Sequence, residues 1–145
     1  MIKIPFYETS NFVLSNFSAH SIIYKGIRFP TVEHAYQWAK FDSEKIKGVI
    51  KNAESPMNAF ELGKFYKSER KQNWDELKVE VLYEIIKEKV IQHEEVRNAL
   101  LATSDEEIVE DCPNDDFWGN GSSGKGQNQI GKILMRIREE INCQK

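Results

Sequence analysis

The sequence predicts an α+β fold, mostly helical with a few short strands, folded as a single compact domain. Three observations carry that expectation. After Pro30 apolar residues recur with a period near 3.6 over most of the chain. Alternating, β-branched and aromatic pieces are short and lie mainly before that point. No repeat, low-complexity tract or Pro/Ser-rich linker interrupts the 145 residues, so residues 1–145 read as one domain, of a size that buries about two-thirds of the unfolded chain's surface.

Ile2-Lys3-Ile4-Pro5-Phe6 alternates and reads as a strand, followed by an irregular, half-buried connection at Phe12–Phe17. His20–Phe29 reads as a hairpin turning at Lys25-Gly26. Thr31 stands as an N-cap before Val32, Ala35, Tyr36 and Ala39, which follow i, i+3, i+4, i+7. Ser55-Pro56 starts another helix, with Gly63 near its end. Asn73 and Glu76 have capping-box spacing at the head of the longest helix, whose apolar stripe reads Leu77, Val81, Leu82, Ile85 and Ile86. A short helix over Val96–Leu101 and a brief strand at Ile108-Val109 come next. The stretch from Asp111 to Gly126 is a loop by composition, and Ile130, Ile133, Leu134 and Ile137 mark a C-terminal helix.

Hydrophobic residues make up 40% and charged residues 30%, with a net charge of −3. That balance is globular and argues against a duplex nucleic-acid or membrane binder. Cys112 and Cys143 match no metal spacing and form no disulfide framework. Without a signal segment or an apolar run of membrane length, a cytoplasmic setting is expected.

Four segments carry candidate chemistry. Gly119-Asn120-Gly121-Ser122-Ser123-Gly124-Lys125-Gly126 matches both G-x-G-x-x-G and G-x-x-x-x-G-K. Too little chain follows for a dinucleotide fold, and Gly126 replaces the Ser or Thr that a Walker loop needs. What both motifs share is anion binding by loop amides and a helix N-terminus, with Gly119, Gly124 and Lys125 as contacts; the alternative is a flexible surface cap. Glu33 lies in a first helical turn and shares a face with Gln37. It reads either as an ionised carboxylate that acts as a base or steadies a cationic transition state, or as an ordinary exposed helix-start glutamate. His34 has no second histidine at i+4, and no metal is expected. Arg70, Trp74 and Lys78 fit a phosphorylated heterocycle, with indole on the ring and cations on the phosphate; Trp74 equally fits packing under a helix end. Asp115 and Asp116 precede the glycine loop, where a carboxylate can also simply close an Asx-turn.

Together these segments resemble the NADAR (YbiA-like) family. The matching pieces run through Leu14–Phe17, Phe29–Gln37, Ser55-Pro56, Leu62-Gly63, Arg70–Trp74 and Leu100–Thr103, then Asn114–Gly119, Gly124–Gly131 and Leu134–Arg138. Val32 departs from the small or polar residue expected beside the glutamate. The resemblance implies a compact YbiA-like fold and metal- and cofactor-independent N-glycosidase activity. It implies Glu33 and Asp115 as catalytic carboxylates, and Trp74, Trp118, Arg70, Lys78, Gly119, Gly124, Lys125 and Asn128 as substrate contacts. Two substrate classes go with it: ribosylamino-pyrimidine phosphates of early riboflavin synthesis, and ADP-ribose on guanine in DNA. Cleaving C1–N passes through an oxocarbenium-like state that a carboxylate stabilises. The competing expectations are the ADP-ribosyl-guanine hydrolase and a non-catalytic nucleotide or ADP-ribose binding module.

Overall fold

The computed structural model describes residues 1–5 and 13–144. The expected strand end at Phe6 and the start of the connection at Phe12 lie outside the described residues. The fold is α+β and mostly helical, as expected, with four short strands and six α-helices among the described residues. Contacts within the chain group it into two units. One comprises Asn16–Gln92; the other joins Met1–Ser15 to His93–Lys145.

In the contiguous unit, which follows the N-terminal strand β1 (Ile2–Pro5), β2 (Ile22–Tyr24) and β3 (Ile27–Phe29) pair antiparallel. The turn between them has positive φ at both central residues, 53° at Lys25 and 77° at Gly26. That is the type I′ geometry whose twist matches a two-residue hairpin. Helix α1 (Val32–Ala39) follows, then α2 (Glu44–Lys51), α3 (Pro56–Phe65), a 3-10 turn (Lys67–Glu69) and α4 (Trp74–Gln92). Helix α1 is packed by α2, α3, α4 and β3. Val32, Ala35, Tyr36 and Ala39 are buried as their spacing predicts, but so are Glu33, His34 and Gln37. Ser43 and Ser55 cap α2 and α3 by accepting from Ile46 N–H and Asn58 N–H.

The stripe on α4 differs from expectation. Leu82, Ile85 and Ile86 are buried, whereas Val81 is half-buried and Leu77 is 37% exposed. Trp74 sets the buried face at the helix start, and Leu77, three residues later, turns away from it while Lys78 lies half-buried. The same face ends in a fully buried Lys89, whose Nζ donates to Ser18 Oγ at 2.7 Å. Glu76 N–H donates to the Asn73 carbonyl at 3.1 Å in the first turn. The connection read as half-buried is more deeply set: Leu14, Ser15 and Phe17 are all buried.

In the other unit, β1 (Ile2–Pro5) pairs in parallel with β4 (Ile108–Asp111), Ile2 opposite Ile108. Helices α5 (Glu94–Ala102) and α6 (Gln129–Cys143) complete it, with α6 lying on β4. A Cβ at Gly131 would overlap the Ile108 carbonyl, so glycine is what lets α6 sit directly on the strand. Buried Arg138 donates to Thr103 Oγ1 and to the Glu106 carbonyl, both at 2.8 Å, fixing α6 to the α5–β4 connection.

Candidate active site

The head of α1 is built by Thr31. Its extended backbone stops the helix, and its Oγ1 accepts from His34 N–H at 3.2 Å. The His34 ring is tied at both nitrogens, Nδ1 to Thr31 Oγ1 at 2.8 Å and Nε2 to the Ala53 carbonyl at 3.0 Å. A carbonyl only accepts, so Nε2 carries the proton and Nδ1 accepts from the threonine hydroxyl. Burial pushes the imidazole pKa down, which keeps this neutral tautomer. His34 is therefore a structural strut between α1 and the α2–α3 connection.

Glu33, Gln37 and Lys40 follow at i, i+4 and i+7 along one side of α1. Glu33 is 6% exposed, so the exposed helix-start reading is overturned, and with it the expectation of a dipole-favoured ionised group. A first-turn dipole contributes about 0.3–1 kcal/mol, whereas full burial of a carboxylate shifts its pKa by up to several units. Desolvation wins and lifts the Glu33 pKa to about 7, although Lys40 and the Gln37 amide both pull it down. Its Oε2 has no hydrogen-bond partner among the described residues.

Lys40 is brought into the same environment. Burial lowers its pKa to about 8, opposed by Glu33 and reinforced by the positive charges of Arg70, Lys78 and Lys67. Its Nζ lies 5.0 Å from the Tyr36 ring centroid, and Tyr36 packs at 5.4 Å on Trp74. The chain is stitched here by Lys71 N–H donating to the Lys40 carbonyl at 2.9 Å and by a bridge between Phe41 and Arg70. Arg70 and Lys78, both half-buried, thus act on Lys40, and Trp74 reaches it through Tyr36. Trp74 is 2% exposed, so its ring is already covered, and the packing it makes is with Tyr36. Lys40 was missed by the sequence reading; the signal was its i+7 spacing from Glu33 on the helix's charged side.

The remaining candidates lie in the other unit. Asp115 Oδ1 accepts from Phe117 N–H at 2.9 Å and Trp118 N–H at 2.8 Å, which is the turn-closing arrangement. Trp118 is half-buried and stands edge-on to Phe117 at 4.8 Å. Most amides of the glycine loop are already spent within the unit. Those of residues 120, 121, 124 and 126–130 all donate to carbonyls within the unit, including Gln129 to Phe117 and Ile130 to Trp118 at the head of α6. Glycine is needed at 119 and 126 because a Cβ there would come within 2.9 Å and 2.7 Å of other backbone or side-chain atoms. Gly124, by contrast, is exposed with φ 75° and open space around it. The loop is thus largely a self-satisfied cap, with the Lys125 side chain exposed on it. Asn128 is also corrected: its Oδ1 accepts from Glu110 N–H and its Nδ2 donates to the Ile108 carbonyl, both at 2.8 Å, so it fastens α6 to β4.

Among the described residues no group of three or more His, Cys, Asp or Glu is placed to hold a metal ion, and no helix is long and apolar enough to cross a membrane. The site thus combines a buried carboxylate, one oxygen of which has no hydrogen-bond partner among the described residues, with a neighbouring lysine and further cations. The NADAR domain profile matches residues 3–142, and the chain belongs to that family. It is 39% identical over 144 residues to the N-glycosidase YbiA of Shigella flexneri, covering 98% of this chain and 90% of that one. It is 40% identical over 130 residues to an N-glycosidase of Nostoc punctiforme, covering 88% and 83%. A riboflavin biosynthesis protein of Vibrio vulnificus is 39% identical over 95% of this chain and 38% of its own length. The NMR structure of YbiA from E. coli superposes with a TM-score of 0.87 at 38% identity, covering 99% of this chain and 86% of that one.

Proposed function

We propose that this chain is an N-glycosidase that hydrolyses the C1–N bond of ribosylamino-pyrimidine phosphates, with Glu33 as the reacting carboxylate. It is a hydrolase of N-glycosyl bonds, in keeping with relatives named N-glycosidase and riboflavin biosynthesis protein. The observation that carries the residue assignment is Glu33 itself: buried, with Oε2 unpartnered among the described residues, and beside Lys40. A buried carboxylate without a full set of partners is costly to keep, and such groups concentrate where charge develops during a reaction.

As the C1–N bond breaks, positive charge grows on C1 and the ring oxygen. An ionised Glu33 next to that carbon stabilises it more strongly in a desolvated site than water would. Water then adds: its oxygen bonds to C1, one proton goes to the departing nitrogen and the other stays on the new anomeric hydroxyl. A pKa of about 7 lets Glu33 exchange a proton with that water near neutral pH. Lys67, Arg70 and Lys78 are close enough to act on the charge of Lys40, and this cluster is assigned to the substrate phosphate. Trp74 supports Tyr36, whose ring faces the Lys40 ammonium. Asp115 enters as the carboxylate that fixes the Phe117–Trp118 turn.

The test measures products by mass spectrometry from a panel of ribosylamino-pyrimidine phosphates together with ADP-ribosyl-guanosine, on wild type and Glu33→Gln. Wild type releases ribose 5-phosphate from the former class, and Glu33→Gln lowers kcat about 10²-fold or more with affinity retained. A folded Glu33→Gln protein with near wild-type turnover removes Glu33 from the chemistry, and preferred release of ADP-ribose from guanosine replaces the substrate class.

A further inference from the structure

We propose that Gln37 is a positioning residue that leaves one chosen oxygen of Glu33 for the reaction, and that Gly63 is glycine because the Gln37 side chain fills the space of its Cβ. The inference rests on Glu33 being the reacting carboxylate. Gln37 lies one turn beyond Glu33 on α1 and is 2% exposed. Its amide hydrogen-bonds to the Glu33 carboxylate, and because a carboxylate accepts, the NH2 end is the donor. Its Oε1 is buried with no hydrogen-bond partner among the described residues.

What holds that oxygen in place is α3. A Cβ on Gly63 would overlap Gln37 Oε1, lie 2.7 Å from Cδ and touch Cγ at 3.4 Å. The carbonyl end of the amide is thus seated against the α3 backbone, where only a glycine allows the approach. With the carbonyl seated there, the amide has one sensible orientation. Flipping it would bring a carbonyl oxygen against a carboxylate oxygen and lose the hydrogen bond. The donor is therefore directed permanently at one oxygen of Glu33, and Oε2 is the one left over. The charged neighbour acting on Glu33 is Lys40, one turn further along α1, and Lys67, Arg70 and Lys78 act on Lys40 in turn.

Four variants test this with kcat and KM measured across pH and melting temperature recorded alongside. Gln37→Met keeps length and volume but removes the donor. It lowers kcat about tenfold with KM little changed, and moves the acid limb of the kcat profile up by about one pH unit, because a hydrogen bond that favoured ionised Glu33 is gone. Gly63→Ala pushes the amide away and shifts the same limb in the same direction. In a Gln37→Ala background, where the space is empty, Gly63→Ala produces no further shift. A side chain with a merely structural role lowers the melting temperature and leaves the limb in place. A folded Gln37→Met protein with wild-type kcat and limb overturns the proposal, as does Gly63→Ala acting equally in both backgrounds. If Gln37→Met fails to fold, Gly63→Ala alone decides by its limb, since alanine suits a helix interior better than glycine. An inactive Glu33→Gln with an unaltered Gln37→Met removes only this inference; an active Glu33→Gln removes the reading beneath it.

Discussion

Individual residues divide sharply in how well the sequence exposes them. The apolar stripe of α1 was legible because Val32, Ala35, Tyr36 and Ala39 keep a helical period. The burial of Glu33 was not, because a period identifies one inward face, and α1 is packed by three helices and a strand at once. A polar residue on such a helix looks solvated in sequence and is buried in fact. Trp74 shows the same limit from the other side: composition marked it for stacking, and its neighbours cover it. Trp74→Ala is therefore expected to lower stability by about 3–5 kcal/mol, the scale of a large buried aromatic removed from a core, measured by denaturant unfolding. A folded variant of near wild-type stability would return Trp74 to a binding role. For Asp115, Asp115→Asn keeps an oxygen for the two amides, so fold and turnover should both hold to within about threefold. A stable Asp115→Asn protein that loses turnover about 10²-fold would make it a second reacting carboxylate.

Among elements, those with a local cause were placed from sequence: Lys25-Gly26 for the hairpin, Thr31 and Ser55-Pro56 for helix starts; α2 (Glu44–Lys51), with only Ile46 and Ile50 buried, gave too short an apolar pattern to be read. The loop read at Asp111 to Gly126 runs from residue 112 to 128 between β4 and α6, and most of its amides bond within its own unit. Its glycines looked like an anion cradle because glycine permits both close approach to a ligand and close approach of the chain to itself, and spacing does not tell these apart. Here the amides turn inward, and Asn128 binds β4 by a donor and an acceptor. Asn128→Ala should destabilise the protein by about 1–3 kcal/mol, since both an N–H and a carbonyl of β4 lose their partner, while kcat/KM of the folded fraction stays as in wild type. Gly124→Ala should likewise leave KM unchanged and show only the small strain of a positive φ. A several-fold rise in KM for either variant would restore the loop to substrate binding.

At the scale of the whole molecule, the order and spacing of weak motifs along nearly the entire chain were enough to indicate the family. The grouping of contacts into two units was not legible, because α4 ends at Gln92 and α5 begins at Glu94 with no linker composition between them. Stability should carry the imprint of the buried carboxylate. Glu33 is raised from 4.5 to about 7 by folding, so the folded state holds its proton more tightly than the unfolded chain. Its contribution is most favourable below pH 4.5 and is lost as pH rises through about 7, an effect of about 3 kcal/mol for a shift of this size. Lys40, lowered to about 8, has its own window: its penalty is constant below that pH and is relieved only above it, toward the lysine value of 10.5. Unfolding free energy should therefore fall between pH 5 and 7.5 in wild type and much less in Glu33→Gln. Parallel curves for the two proteins would show that Glu33 does not titrate in that range.

The parallel pairing of β1 with β4 has a consequence for how the protein is made. Ile2 leaves the ribosome well before its partner Ile108 is synthesised. At about 5–20 residues per second, translation keeps the two apart for about 5–20 s. Residues 16–92 are contiguous and can settle while the remainder is still being translated. Throughout that interval the Ile-Lys-Ile segment is an unpaired strand in search of a neighbour. Nascent chains stalled before β4 should accordingly be the species most exposed to aggregation and most dependent on chaperones, and emergence of β4 the event that ends the exposure.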